Sequence, residues 1–262
     1  MVDFLPQAGS LHARFRLDGR VAVVTGASSG LGAASTLALA DAGAKVVVAA
    51  RREDRLTEVV GRVRAIGGEA LAVRADVTSI DDCAAVAAAA MDAFGRLDIL
   101  VNNAGVGGQY HPATEDPPEH FMAVVNVNLF GSYWMAQACG RVMGPGSSVV
   151  NFSSVLAVTT AKMPAAAYSA SKAGILGLTR DLAAQWGVKG IRVNAILPGV
   201  FPTEATANYG ENYKRKVIDA RIPIGRLGEP YEIASVVVFL ASDASSYVTG
   251  VSLPVDGGVL LL

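Results

Sequence analysis

The chain has 262 residues, 52% of them hydrophobic and 17% charged, with a formal net charge of -1 at pH 7. A chain this long and apolar can bury one large core, and its near-neutral balance lacks the basic footprint of a nucleic-acid or membrane-surface partner. Cys83 and Cys139 lie in apolar or alanine-rich surroundings and read as small packed hydrophobes, not a disulfide framework, which suits a reducing cytoplasm.

In chain order, residues 1–16 carry Asp3, His12, Arg14 and Arg16 without a long apolar run, and are expected to form a flexible arm before a single domain at 17–262. Val21, Ala22, Val23 and Val24 then lead into Thr25-Gly26-Ala27-Ser28-Ser29-Gly30-Leu31-Gly32, a strand, a glycine-rich turn and a helix start. Such a turn lets backbone approach a bulky anion, and the helix N-terminus offers unpaired N–H groups at a positive dipole end, as a pyrophosphate requires. The spacing is Gly-x-x-x-Gly-x-Gly rather than the general dinucleotide fingerprint, and a glycine turn without a ligand is the alternative.

Apolar runs near 20–25, 45–50, 70–75, 97–102, 148–153, 191–197 and 250–255 predict strands; the intervals around 30–42, 52–66, 79–94, 118–142, 164–186 and 230–241 predict helices. This alternation is the signature of an α/β fold with a parallel sheet. The second strand ends in Ala50-Arg51-Arg52, the third is followed by Asp76-Val77, and the fourth runs into Asn102-Asn103-Ala104-Gly105. Ser153 and Ser154 follow the fifth strand and Pro198-Gly199-Val200 the sixth. Each is a polar cap or turn taken singly, but all fall at the carboxyl edge where open parallel sheets bind ligands. Residues 198–229, broken by Pro198, Pro202, Pro223 and several glycines, read as a lid. His12, His111 and His120 are scattered along the chain, so no metal site is expected.

Tyr168 and Lys172 stand four residues apart in a helical stretch, so a phenol and an ammonium share one face. A fixed positive charge beside a tyrosine favours its phenolate and brings it towards proton chemistry; a lysine snorkelling past a half-buried ring has the same spacing.

Together these segments resemble the single-domain branch of the short-chain dehydrogenase/reductase family from Leu17 to Gly258: Thr25-Gly-Ala-Ser-Ser-Gly-Leu-Gly32, Asp76-Val77, Asn102-Asn-Ala-Gly105, Val127-Asn128-Leu129, Ser154, Tyr168-Ser-Ala-Ser-Lys172, Pro198-Gly199 with Thr203, and Asp256-Gly257-Gly258. The resemblance implies a Rossmann-type doubly wound parallel sheet of about seven strands with helices on both faces. It also implies a catalytic tetrad of Asn128, Ser154, Tyr168 and Lys172. Tyr168 would be general acid in reduction and general base in oxidation, Ser154 would hold the carbonyl oxygen, and Lys172 would reach the nicotinamide ribose. Asn128 would hold a water linking the lysine to solvent; from the residues alone it reads as a surface amide. Ser153 is the rival for the serine role, and alternation along a strand allows only one of the two to face the substrate. Ser154 and Tyr168 lie fourteen apart, more than the family leads one to expect, which places a small insertion at Thr159 to Met163.

The same resemblance assigns cofactor contacts to Gly26, Ser28, Ser29, Gly30, Leu31, Gly32, Arg51, Arg52, Asp76, Val77, Asn103, Ala104, Gly105, Tyr168, Lys172, Pro198, Gly199, Val200 and Thr203. An arginine after the second strand, where a carboxylate would grip a free ribose, points to the 2′-phosphate of NADP(H), with NAD(H) the alternative if both arginines are only solvated charge. Val106, Tyr110, Val155, Leu156, Ala157, Met163, Phe201, Asn208, Tyr209 and Tyr213 would line a pocket for a modest, largely apolar ketone or secondary alcohol. A polyol dehydrogenase, a 3-oxoacyl thioester reductase and a non-catalytic dinucleotide-binding regulator are the competing readings. The resemblance and the apolar tail Val259-Leu260-Leu261-Leu262 point to a homotetramer.

Overall fold

The computed structural model describes residues 10–160, 163–202, 218 and 221–261. Val21–Thr25 is a run of five buried residues and forms β1, an interior strand of the sheet. Its side chains alternate: Ala22 and Val24 join one apolar cluster while Val21 and Val23 join another on the opposite face. A strand hydrophobic on both faces is what a sheet covered on both sides demands. Each fully buried valine or leucine of this kind contributes on the order of 1.5–3 kcal/mol.

β2 (Lys45–Ala50), β3 (Ala70–Arg74), β4 (Ile99–Asn102), β5 (Ser148–Phe152), β6 (Arg192–Pro198) and β7 (Ser252–Val255) complete a seven-stranded sheet in the order β3-β2-β1-β4-β5-β6-β7. Every pairing is parallel. The order reverses beside β1, between its partners β2 and β4, so the β1 and β4 carboxyl ends flank the switch point of a doubly wound α/β domain.

Helices α1 (Gly30–Asp41), α2 (Glu53–Ala65), α3 (Ile80–Phe94), α4 (Pro118–Val125), α5 (Gly131–Gly140), α6 (Ala166–Gly187) and α7 (Pro230–Ala241) cover the faces. α1 packs on α7 over one face, α3 on α5 over the other. Ser79 caps α3 by accepting the Asp82 N–H, and Gly95 ends it with φ 74°, a conformation a β-carbon would resist. The single helix expected over 118–142 is interrupted: Asn126–Phe130 makes a π turn, in which Gly131 N–H reaches the Asn126 carbonyl. Residues 10–16, the described end of the expected arm, include a 3-10 helix at Leu11–Phe15. Its Arg14 donates to the Asp243 carbonyl and Ser246 Oγ, both at 3.3 Å.

Candidate active site

The glycine loop is shaped by contact with the end of β4. Gly26 has φ 63°, and a β-carbon there would lie 2.8 Å from Ala104 Cα. At Gly32 it would lie 2.3 Å from the Gly26 carbonyl oxygen, inside backbone that cannot yield. Thr25 Oγ1 accepts the N–H groups of Asn103 (3.1 Å) and Ala104 (3.0 Å). Asn103 Nδ2 in return donates to the carbonyls of Thr25 (3.0 Å) and Gly26 (3.1 Å). Asn103 thus holds the loop with its side chain. Thr25, which sequence reasoning placed in the motif but gave no role, is the anchor; its position at a strand end before glycine was the available signal. α1 starts here with Ser29 as N-cap and no side chain on its first N–H groups, and Leu31 lies in its first turn. This cradle, closed to any β-carbon and ending in a helix N-terminus, fits a dinucleotide pyrophosphate.

At the end of β2 the two arginines part. Arg52 Nη2 donates to Ser28 Oγ (3.1 Å) and Ser29 Oγ (3.0 Å), whereas Arg51 turns to Asp76, 3.9 Å away, with its side chain 66% exposed. Arg52 is the residue brought onto the glycine loop, although Arg51 was the stronger expectation for a phosphate grip. Asp76 accepts the Thr78 N–H (3.0 Å) and hydroxyl (2.8 Å); the backbone bond does most to hold its carboxyl below the usual range, the hydroxyl and then Arg51 adding to it against burial. Val77 packs where Gly131 leaves room, since a β-carbon there would lie 2.6 Å from Val77 Cγ2.

Just past the end of β5, Ser153 and Ser154 take different partners. Ser153 Oγ donates to the Lys172 carbonyl (2.7 Å) in α6, while Ser154 Oγ accepts the Leu156 N–H (3.1 Å) and stands beside the Tyr168 phenol. Lys172 is 5% exposed; its Nζ donates to the Phe152 carbonyl (2.8 Å) and lies 5.7 Å from the centre of the Tyr168 ring. Burial lowers its ammonium to about 8. The Tyr168 phenol is raised, because burial outweighs the opposing effect of the nearby Ser154 hydroxyl. The expected downward pull of Lys172 on the phenol is therefore overcome by desolvation of both groups.

Asn128 is fully buried inside the π turn, which corrects the surface-amide alternative. Its Oδ1 accepts the Val106 N–H (2.8 Å), and its Nδ2 donates to the Val106 carbonyl and Ser171 Oγ, both at 3.0 Å. Ser171 donates on to the Tyr168 carbonyl (2.8 Å), so it links Asn128 to α6; it sits inside the Tyr-Ser-Ala-Ser-Lys run but was assigned nothing. A β-carbon on Gly105 would stand 3.1 Å from Asn128 Oδ1 and 3.3 Å from Lys172 Nζ, so these three positions meet.

After β6, Gly199 approaches Asp256, where a β-carbon would lie 2.6 Å from Asp256 Cα. Val200 and Phe201 line a cavity of about 300 Å³ with Ile222, Ile224, Asp256 and Gly258, away from Ser154, Tyr168 and Lys172. Thr203, Asn208, Tyr209 and Tyr213, most of the expected lid, and part of the expected insertion lie outside the described residues.

The chain path brings two of the scattered histidines together. His111 and His120, distant in sequence terms, stack edge to face with ring centres 5.1 Å apart. The turn through Glu115, whose N–H reaches the Pro112 carbonyl, and the start of α4 at Pro118 bring the chain back on itself. Cys83 and Cys139 are buried and unpaired as disulfides, and burial pushes the Cys83 thiol up to about 11.

A family model described as enoyl-(acyl carrier protein) reductase matches residues 26–260. The chain is 39% identical over 250 residues to an L-rhamnose 1-dehydrogenase (NAD(P)(+)) of Azotobacter vinelandii, covering 92% of this chain and 97% of that one. It is 41% identical over 255 residues to a D-threitol dehydrogenase of Mycolicibacterium smegmatis, covering 95% and 96%. Among solved structures, a 7α-hydroxysteroid dehydrogenase complexed with NADH and 7-oxo glycochenodeoxycholic acid superposes with a TM-score of 0.91 at 36% identity, covering 96% and 98%. With the sheet order, the glycine cradle and these relatives together, the chain belongs to the short-chain dehydrogenase/reductase family of NAD(P)-dependent oxidoreductases.

Proposed function

We propose that this enzyme interconverts a small ketone and a secondary alcohol, with Tyr168 as the proton-transferring group. The observation that carries the reading is the convergence of Ser154, Tyr168 and Lys172: Ser154 stands beside the Tyr168 phenol, and buried Lys172 places its Nζ 5.7 Å from the centre of the Tyr168 ring. A nicotinamide dinucleotide, its pyrophosphate held by the Gly26–Gly32 loop, would supply or accept the hydride when bound. In reduction, Ser154 Oγ orients the substrate oxygen and stabilises its developing charge, and Tyr168 gives up its phenolic proton to that oxygen. In oxidation the same atoms return the proton. A phenol kept protonated by burial is ready as an acid at neutral pH. Asn128 positions α6 through Ser171 and the loop through Val106. The polyol and sugar substrates named for the two curated relatives favour a polyhydroxylated substrate over a carrier-bound thioester.

The cofactor in this reading is NADP(H). Ala50 leaves no carboxylate at the end of β2, and Arg52 with the Ser28 and Ser29 hydroxyls forms a cluster of donors suited to a 2′-phosphate. Initial rates with NADPH and NADH over a panel of ketoses and simple ketones, and with NADP⁺ and NAD⁺ over the alcohols, test the activity. Titrating both cofactors against Arg52→Ala and Arg51→Ala tests the grip. The NADP(H) dissociation constant is expected to rise about tenfold or more in Arg52→Ala, the worth of a charge-assisted hydrogen bond, and less in Arg51→Ala, with NAD(H) little changed in either. Equal losses for both cofactors would mean that Arg52 holds the loop and not the phosphate.

A further inference from the structure

The β4–α4 segment gathers His111, Asp116 and His120 so that one ligand atom from each lies within 4.8 Å of the others. All three are partly buried, and the His120 and Asp116 side chains are only 19% and 10% exposed. His120 Nδ1 meets Asp116 Oδ1 at 2.5 Å, and His120 Nε2 accepts the Gln109 N–H at 2.9 Å. His111 Nε2 donates to Gln109 Oε1 at 3.1 Å. We propose that His111, Asp116 and His120 form a binding site for a divalent transition-metal ion of the zinc type, separate from the Ser154–Tyr168–Lys172 site.

Two imidazoles and one carboxylate are the donor set such ions select over magnesium or calcium, which prefer oxygen alone. Tetrahedral zinc places neighbouring ligand atoms about 3.4 Å apart, given metal–ligand distances of about 2.0–2.2 Å. Side-chain shifts of roughly 1 Å therefore bring the three donors into range. Binding through His120 Nδ1 breaks the bond to Asp116 and leaves the ring proton on Nε2, so the Gln109 N–H must turn away. The backbone can do this: Gly107 and Gly108 precede Gln109, and Gly108 already has φ 72° with no β-carbon to collide with His120. The fourth position is open to water.

The site bears on the reaction region through the same loop. Val106, three residues before Gln109, makes both backbone bonds to Asn128. A metal that pins residues 109–120 thus restrains the strand of chain packed on Asn128.

The test uses the full-length protein, stripped with EDTA and desalted, and titrated with zinc chloride by calorimetry. The expected result is one equivalent bound with a dissociation constant in the micromolar range, a melting temperature about 5–10 °C higher at a hundredfold excess over that constant, and a cobalt(II) adduct with the visible absorption of a tetrahedral centre. The His111→Ala and Asp116→Asn variants should each bind at least tenfold more weakly, with His12→Ala unchanged. Because His120→Ala could loosen the loop, it is not needed for the conclusion. Absence of stoichiometric uptake by the wild type, or equal uptake by the His111→Ala/Asp116→Asn double variant, overturns the site.

Discussion

The positive charge at the end of β2 and the positive charge behind β5 are treated in opposite ways. Arg51 and Arg52 stand at the rim, with the Arg51 side chain two-thirds in water and Arg52 bonded to the half-buried hydroxyls of Ser28 and Ser29. Lys172 is sealed among Tyr168, Phe152 and Gly105, and burial has brought its ammonium to about 8. A rim cation can be removed with little consequence for the fold, so it is suited to discriminating between ligands. A buried cation costs stability wherever it stays charged, so its retention must be judged by chemistry rather than by packing.

The sharpest way to break this contrast is Tyr168→Phe, which keeps the ring over Lys172 and deletes the proton. Turnover should fall by about 10² to 10⁴ with cofactor affinity nearly unchanged. In the wild type, with the phenol raised, ketone reduction should stay level through neutral pH and decline only in alkali, while alcohol oxidation should climb with pH. Steady-state profiles in both directions check this; a variant that retains near wild-type turnover removes Tyr168 from the chemistry. Next in size is Gly32→Ala, because its β-carbon would collide with the Gly26 carbonyl. Displacing the loop is expected to weaken either cofactor at least tenfold and to cost about 1–3 kcal/mol of stability, read by fluorescence titration and thermal melts. A smaller effect should follow from Lys172→Met in the cofactor-free protein. Between about 8 and 10.5 the unfolded chain holds a proton on Lys172 that the folded chain has lost, so wild-type stability rises with pH across that window. Below about 8 the charged lysine burdens the folded state in full. The melting temperature of Lys172→Met relative to wild type should therefore be highest below pH 8 and fall as pH approaches 10.5, as calorimetry at several pH values would show. A pH-independent difference would mean that Lys172 is not strained by its burial.

What the sequence showed and what it hid follow from the range of the forces involved. The glycine loop was legible because its constraint is steric and local: Gly26 and Gly32 touch backbone only a few residues away or one strand across. The sheet was legible because strands buried on both faces leave long apolar runs. Asn128 was readable only by family likeness, since its burial depends on a π turn that no local propensity announces. The division of labour between Arg51 and Arg52 hid in one residue of strand register, because β2 stops at Ala50 and Arg52 becomes the N-cap of α2. The meeting of His111 with His120 needed the turn at Pro112–Glu115, which spacing along the chain could not show.

The π turn at Asn126–Phe130 has a consequence for how this helical arm tolerates change. It behaves as a single residue spliced into an otherwise regular helix, and deleting Val127 would let α4 and α5 join in one α-helical ladder. The repaired helix would be locally better bonded yet turned by about 100° per residue removed, so that either α4 or α5 lost its register against the sheet. Gly131 would then leave Val77, and Ser132, whose carbonyl accepts Asn102 Nδ2 at 3.0 Å, would swing off β4. In this arm a length change of one residue is thus more disruptive than many substitutions, and the irregularity works as a gear tooth that keeps two halves of a helix in phase with different partners.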